Sequence, residues 1–142
     1  MTQEHKELLL KDLCARLPYF TKVQIKNEIV VLDSICDDDG YYFNFIGDDR
    51  EGVNIEKIKP YLFPLSSMTD EQKEELKEIV PTLTWSINIG NDSGDILIYE
   101  DTPMIYMCDL LNYINWCYKN HFDVNGLIPL DLAIDATDLN IY

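Results

Sequence analysis

Two prolines four residues apart, Pro60 and Pro64, constrain this chain more than any other feature. Each holds its own φ at about −65°, removes a backbone donor, and pushes the residue before it, Lys59 or Phe63, toward extended geometry. No helix can run through this stretch. Tyr61, Leu62 and Phe63 are therefore expected on a stiff extended arm that docks the first part onto the second, buried by default, with the alternative of an arm offered to a neighbour as an interaction surface. Thr69 follows as a helix N-cap, with Gln72 closing a capping box and Asp70 and Glu71 at the positive end of a helix over 70–80. Residues 59–69 thus form a Pro-rich connector between a first part, 1–58, and a second, 70–142. At 142 residues the chain is expected to be a single compact domain.

The first part opens with a helix capped by Thr2 and stopped by Pro18, with Leu9, Leu10, Leu13, Cys14 and Leu17 on its apolar side and Arg16 off it. From Lys22 the period changes to two. Val23 and Ile25 alternate with polar neighbours, 29–35 is rich in β-branched residues, and 41–46 and 53–55 add strands between polar turns at Asn27-Glu28, Asp37-Asp38-Asp39-Gly40 and Gly47-Asp48-Asp49-Arg50. Such short strands and tight turns predict a strongly bent antiparallel meander, either an SH3-like small barrel or an open sheet under the first helix. In the strand 41–46, Tyr42, Asn44 and Ile46 are expected on one face, and Tyr41, Phe43 and Phe45 on the core face.

The second part reads as helix 70–80, a β-hairpin of 83–89 and 95–99, and a buried C-terminal helix starting at Thr102-Pro103. That last helix carries Met104, Met107, Leu111, Ile114 and Tyr118 on one face and Tyr106, Leu110, Tyr113 and Cys117 on a second. The fold class is α+β.

Charge narrows the partners. Acidic residues number 26 against 11 Lys and Arg, a net charge of −15, and beyond residue 83 Lys119 is the only cation. Direct binding to nucleic acid or to an anionic membrane needs the opposite sign. A basic protein, or one that normally grips phosphate, would be attracted. No run approaches the length of a membrane span, and the N-terminal Leu8-Leu9-Leu10 is too short for a secretory core. Cys14, Cys36, Cys108 and Cys117 form no CxxC pair and are expected as buried thiols in a reducing cytoplasm.

Chemistry has few candidates. Cys117 and His121 lie four apart at a helix end with Asp123 close behind, so a thiol, an imidazole and an orienting carboxylate could converge. A zinc site would need further ligands at characteristic spacing, and none is present. Asp37-Asp38-Asp39 and the set Asn91, Ser93, Asp95 and Glu100 each miss the calcium-loop pattern, and turns explain both. No Walker loop, dinucleotide fingerprint or nucleophile elbow occurs. No catalytic residue, metal or cofactor is expected.

Three stretches carry a resemblance: Asp12-Leu13-Cys14-Ala15-Arg16-Leu17-Pro18-Tyr19, the segment from Ile58 to Thr69 with its Pro-Leu-Ser-Ser-Met-Thr core, and His121-Phe122-Asp123-Val124-Asn125-Gly126-Leu127-Ile128. Through them the chain resembles a family of short uncharacterised proteins from gut Bacteroides genomes and their phages or prophages. The family pattern has Tyr-Arg where this chain has Val124-Asn125. The resemblance implies an origin in a mobile element and carries over no activity, cofactor or catalytic residue.

Together these observations point to a cytoplasmic, non-enzymatic protein-interaction module, with Tyr61, Leu62, Phe63 and Tyr42 as contact residues. Two other readings stay open. One is an acidic decoy that imitates the charge of DNA; the other is a small enzyme built on Cys117, His121 and Asp123.

Overall fold

Thr2 starts α1 (Gln3–Arg16) by accepting the His5 amide at 3.2 Å on its hydroxyl. A 3-10 turn, Leu17–Tyr19, carries Pro18 and ends the helix. These boundaries are those of the computed structural model, which describes residues 1–37, 41–49, 52–80 and 107–142. They fall into two units: Met1–Leu62 with Leu127–Tyr142, and Phe63–Gly126. The first break falls inside the expected connector, and the chain rejoins the first unit at Leu127.

In the first unit Leu9 and Leu13 of α1 are fully buried against a six-stranded sheet. Its strands are β1 (Lys22–Ile25), β2 (Glu28–Asp37), β3 (Tyr41–Phe45), β4 (Val53–Asn54), β5 (Ile58–Leu62) and β6 (Ile134–Asp135), in the order β4-β3-β2-β1-β5-β6. All neighbours are antiparallel except β5 and β6, which run parallel. The sheet is therefore open, with β4 and β6 at its edges. Alternation sets its faces: Val23, Ile25, Phe43, Phe45 and Ile58 point to the core. Leu32 and Ile35 both pack there although three residues apart, because a bulge between Leu32 and Ser34 absorbs Asp33. The first hairpin turns on Lys26-Asn27, flanked by the pair Ile25 and Glu28, one residue earlier than the turn expected at Asn27-Glu28.

Pro60 sits inside β5, opposite Val23. The stiff arm is in fact an interior strand between β1 and β6. β6 pairs only with Tyr61 and Leu62, so Pro60 has a strand partner on one side alone, and Tyr61 and Leu62 are buried there. The polar side expected of Arg16 is also corrected. Arg16 and Asp12 are fully buried and bonded to each other, because each cancels the charge that would keep the other in water.

The second unit begins with Phe63 and a 3-10 turn, Leu65–Ser67, and continues in α2 (Asp70–Ile79). The capping box is complete, with Thr69 accepting from the Gln72 amide and Gln72 Oε1 accepting from the Thr69 amide. Leu76 and Val80 are buried against Tyr113, Trp116 and Cys117 of α3 (Met107–Lys119). Burial on α3 follows the face of Tyr113 and Cys117, and Leu111 on the other apolar face is 52% exposed. The expected hairpin at 83–99, the Thr102-Pro103 helix start, the Asn91–Glu100 set and most of the triple-aspartate turn lie outside the described residues. The cysteines are free thiols, but Cys14, Cys36 and Cys108 are exposed and Cys117 alone is buried. Cys14 and Cys36 lie off the buried stripes of their elements, which the apolar character of the residue does not reveal.

Candidate functional site

The end of α3 holds the three residues offered as a catalytic corner. His121 adopts φ +61°, so the backbone turns left-handed one residue after Asn120. Its amide donates to the Tyr118 carbonyl at 3.1 Å, and the Phe122 amide donates to the Cys117 carbonyl at 2.8 Å. This pair of bonds is the Schellman closure, in which His121 takes the position usually given to glycine. Phe122 folds back and stacks on Trp116, ring centroids 5.6 Å apart. Phe63 lies beside it: the Phe63 amide donates to the His121 carbonyl at 2.9 Å, and the Asp123 amide donates to the Phe63 carbonyl at 2.8 Å.

The i, i+4 relation between Cys117 and His121 is lost at this turn, because His121 has left the helix. Cys117 is fully buried and hydrogen-bonds Tyr113, whose hydroxyl pKa is pushed upward by burial first and by the thiol second. Asp123 is buried as well. The thiol has no exposed surface, and the turn through His121 closes the helix end. Among the described residues no group of three or more His, Cys, Asp and Glu is arranged to hold a metal ion.

Of the expected contact residues, Tyr61 is 4% exposed and Leu62 fully buried, both within the first unit. The Tyr61 hydroxyl accepts from Gln24 Nε2 at 3.2 Å. Phe63 is half-buried against Phe122, with ring centroids 6.2 Å apart. Tyr42 remains half-exposed on β3, beside Asn44, whose amide donates to Ser34 Oγ at 3.2 Å.

A different surface stands out. On the sheet face away from α1, Ile46 lies next to Val31 through an amide-to-carbonyl bond of 3.0 Å, and Ile29 follows Val31 on the same face. Ile29 and Ile46 are both about half exposed. Just before β1, Phe20 is 67% exposed and held at φ +53°. The next residue, Thr21, is pinned by the Leu32 amide at 2.9 Å. A left-handed φ is costly for a bulky aromatic, and nothing is recovered by packing a ring that is mostly in water. Asp33 and Asp49 are exposed on β2 and on the turn after β3, while Glu28 pairs with Ile25 and lies on the opposite face. Nothing local marks Phe20 in the sequence, because the residue after a Leu-Pro-Tyr helix end looks like an ordinary turn.

Two residues beside this row carry a second contact. The Lys22 amide donates to the Tyr142 hydroxyl at 3.0 Å, the hydroxyl reaches the Tyr61 carbonyl at 3.0 Å, and Lys22 Nζ lies 5.4 Å from the Tyr142 ring centroid. Burial of that hydroxyl raises its pKa to about 12, against the opposing pull of the Lys22 hydrogen bond and the Arg16 charge.

No helix among the described residues is long and apolar enough to cross a membrane. Comparison with protein-family models, curated proteins and solved structures finds no match to this chain.

Proposed function

We propose that the chain is a non-enzymatic protein-interaction module whose docking surface is the exposed sheet face of the first unit, anchored by Phe20. The observation that carries this reading is the combination at Phe20 of a left-handed backbone and an exposed aromatic side chain. Strain of this kind is retained where a fixed geometry is useful, and aromatic residues, Phe among them, are enriched at protein interfaces. The partner is a basic protein. Asp33 and Asp49 are exposed on the elements that carry the apolar row, and the chain's net charge of −15 repels acidic surfaces.

The alternative of a charge decoy draws on α2. At 100° per residue, Asp70, Glu71, Glu74, Glu75 and Glu78 fall within an arc of about 140°, opposite the buried Leu76 and Val80. Lys73 and Lys77 border that arc and pair with Asp70 and Glu74.

Capture from host lysate with wild-type chain and Phe20→Gly tests the proposal, because glycine removes the ring and relieves the φ at the same time. The expected result is a basic partner held by the wild type at about 0.5 M salt, where exposed charge pairs are screened. The variant, at least as stable, should retain it about tenfold less. Equal capture by the variant overturns the docking face. Capture that is displaced by duplex DNA and by salt favours the decoy instead.

A further inference from the structure

The first unit contains a cavity of about 330 Å³ where the β1–β2 turn approaches β3 and β4. Ile25 and Val53 form its apolar wall, and Lys26, Lys57, Asn54, Tyr42 and Gly52 complete it. No carboxylate lines it among the described residues, in a chain with more than two acids for every base. We infer that this cavity binds a small phosphate ester carrying a flat ring, of the nucleoside monophosphate class.

Four observations carry the assignment. Lys6, Lys59, Lys73 and Lys77 all pair with carboxylates, whereas among the described residues Lys26 and Lys57, like Lys11, Lys22 and Lys119, do not; Lys26 and Lys57 are the two of these that line the cavity. The carboxylate nearest Lys57 in sequence, Glu56, is engaged elsewhere, 2.5 Å from Lys6 Nζ.

Lys26 stands at φ +58° at the first position of a two-residue hairpin loop. Glycine is the residue that takes such a position at least cost. A lysine kept there despite the strain directs attention to its ammonium group.

Asn54 Oδ1 accepts the Glu56 amide at 3.0 Å, so its NH₂ group is the end able to donate to an anion. Two ammonium groups and an amide donor match a dianionic phosphate, while a single carboxylate would leave one positive charge uncompensated.

Gly52 sits tightly against Tyr42. A Cβ built there would lie 2.5 Å from Tyr42 Cβ, so only glycine lets the β4 approach pass directly under this tyrosine. Tyr42 is thereby held at the wall of a cavity large enough for a ring as well as a phosphate, and its aromatic face is suited to stack on one.

The experiment is an amide-resolved NMR titration of the full chain at constant ionic strength with AMP, inorganic phosphate and adenosine, repeated on Lys57→Gln and Lys26→Gly. Both substitutions fall at exposed positions, and Lys26→Gly also relieves backbone strain, so folding is preserved. Saturable AMP shifts at Lys26, Gly52 and Asn54 are expected, tighter than with phosphate or adenosine alone and about tenfold weaker in each variant. Shifts that never saturate, that centre on Lys73 and Lys77, or that persist unchanged in both variants overturn the site. Phosphate binding as tightly as AMP overturns the ring-bearing ligand class.

Discussion

Asp12 and Arg16 meet in a two-pronged ion pair, Nε to Oδ2 at 2.6 Å and Nη2 to Oδ1 at 3.0 Å, with neither side chain exposed. Bringing both ions out of water costs several kcal/mol each, and only their mutual geometry offsets it. Removing one partner is therefore far worse than removing both. Arg16→Ala or Asp12→Ala is expected to lower unfolding free energy by about 3–5 kcal/mol, and Asp12→Leu with Arg16→Met to recover most of that loss. Urea denaturation of the three variants checks it. Equal losses in single and double variants would show that the pair is not the cause.

At the end of α3, His121→Gly is expected to stabilise the second unit by about 0.5–1 kcal/mol, since glycine takes a left-handed φ without steric cost but loses more freedom on folding. His121→Ala keeps the strain and gains nothing. Thermal unfolding followed by tryptophan fluorescence distinguishes the two. The same measurement on Phe122→Ala, which empties the stack on Trp116, should show a loss of about 3–5 kcal/mol.

Much of this architecture was legible from local signals. Thr2 and Pro18 bounded α1, Thr69 and Gln72 opened α2, and alternation in β1 and β3 assigned the core face, because each feature depends on residues within one or two turns of chain. The remainder depends on residues far away. Pro60 and Pro64 marked extended backbone, but nothing nearby could tell that β1 and β6 would close around Tyr61 and Leu62. Arg16 was expected off the apolar side of α1, because nothing local shows that Asp12 one turn earlier would carry it into the core. His121 concealed a helix closure that glycine would have announced. Phe20 and the Lys26 cavity rest on backbone angles and on approaches between strands distant in sequence, to which residue type gives no clue.

Gly52→Ala is expected to cost about 1–3 kcal/mol by overpacking, because its new methyl would meet Tyr42 at 2.5 Å. Tyr42→Gly in the same chain should relieve that clash while weakening AMP binding. Chemical denaturation of single and double variants reads the coupling directly.

Alkaline pH should reveal Tyr142. Its hydroxyl loses its proton near pH 10 in the unfolded chain but near about 12 in the folded one. The folded state is thus the one that retains the proton. The stabilisation is complete below pH 10, falls as pH rises through that window and is gone above the folded value. Tyr142→Phe should abolish this share of the alkaline decline. Absorbance titration at 295 nm should show one late-ionising tyrosine fewer.

The route of the chain through its two units has a consequence during synthesis. On the ribosome, β1 to β5 emerge first, and β5 then waits with one edge bare until all of Phe63–Gly126 has been made and β6 arrives. A bare strand edge is a template for other chains. The nascent protein therefore passes through an interval in which neighbouring polysome chains compete with its own last strand, so slowing translation after Leu62 should favour aggregates over native protein.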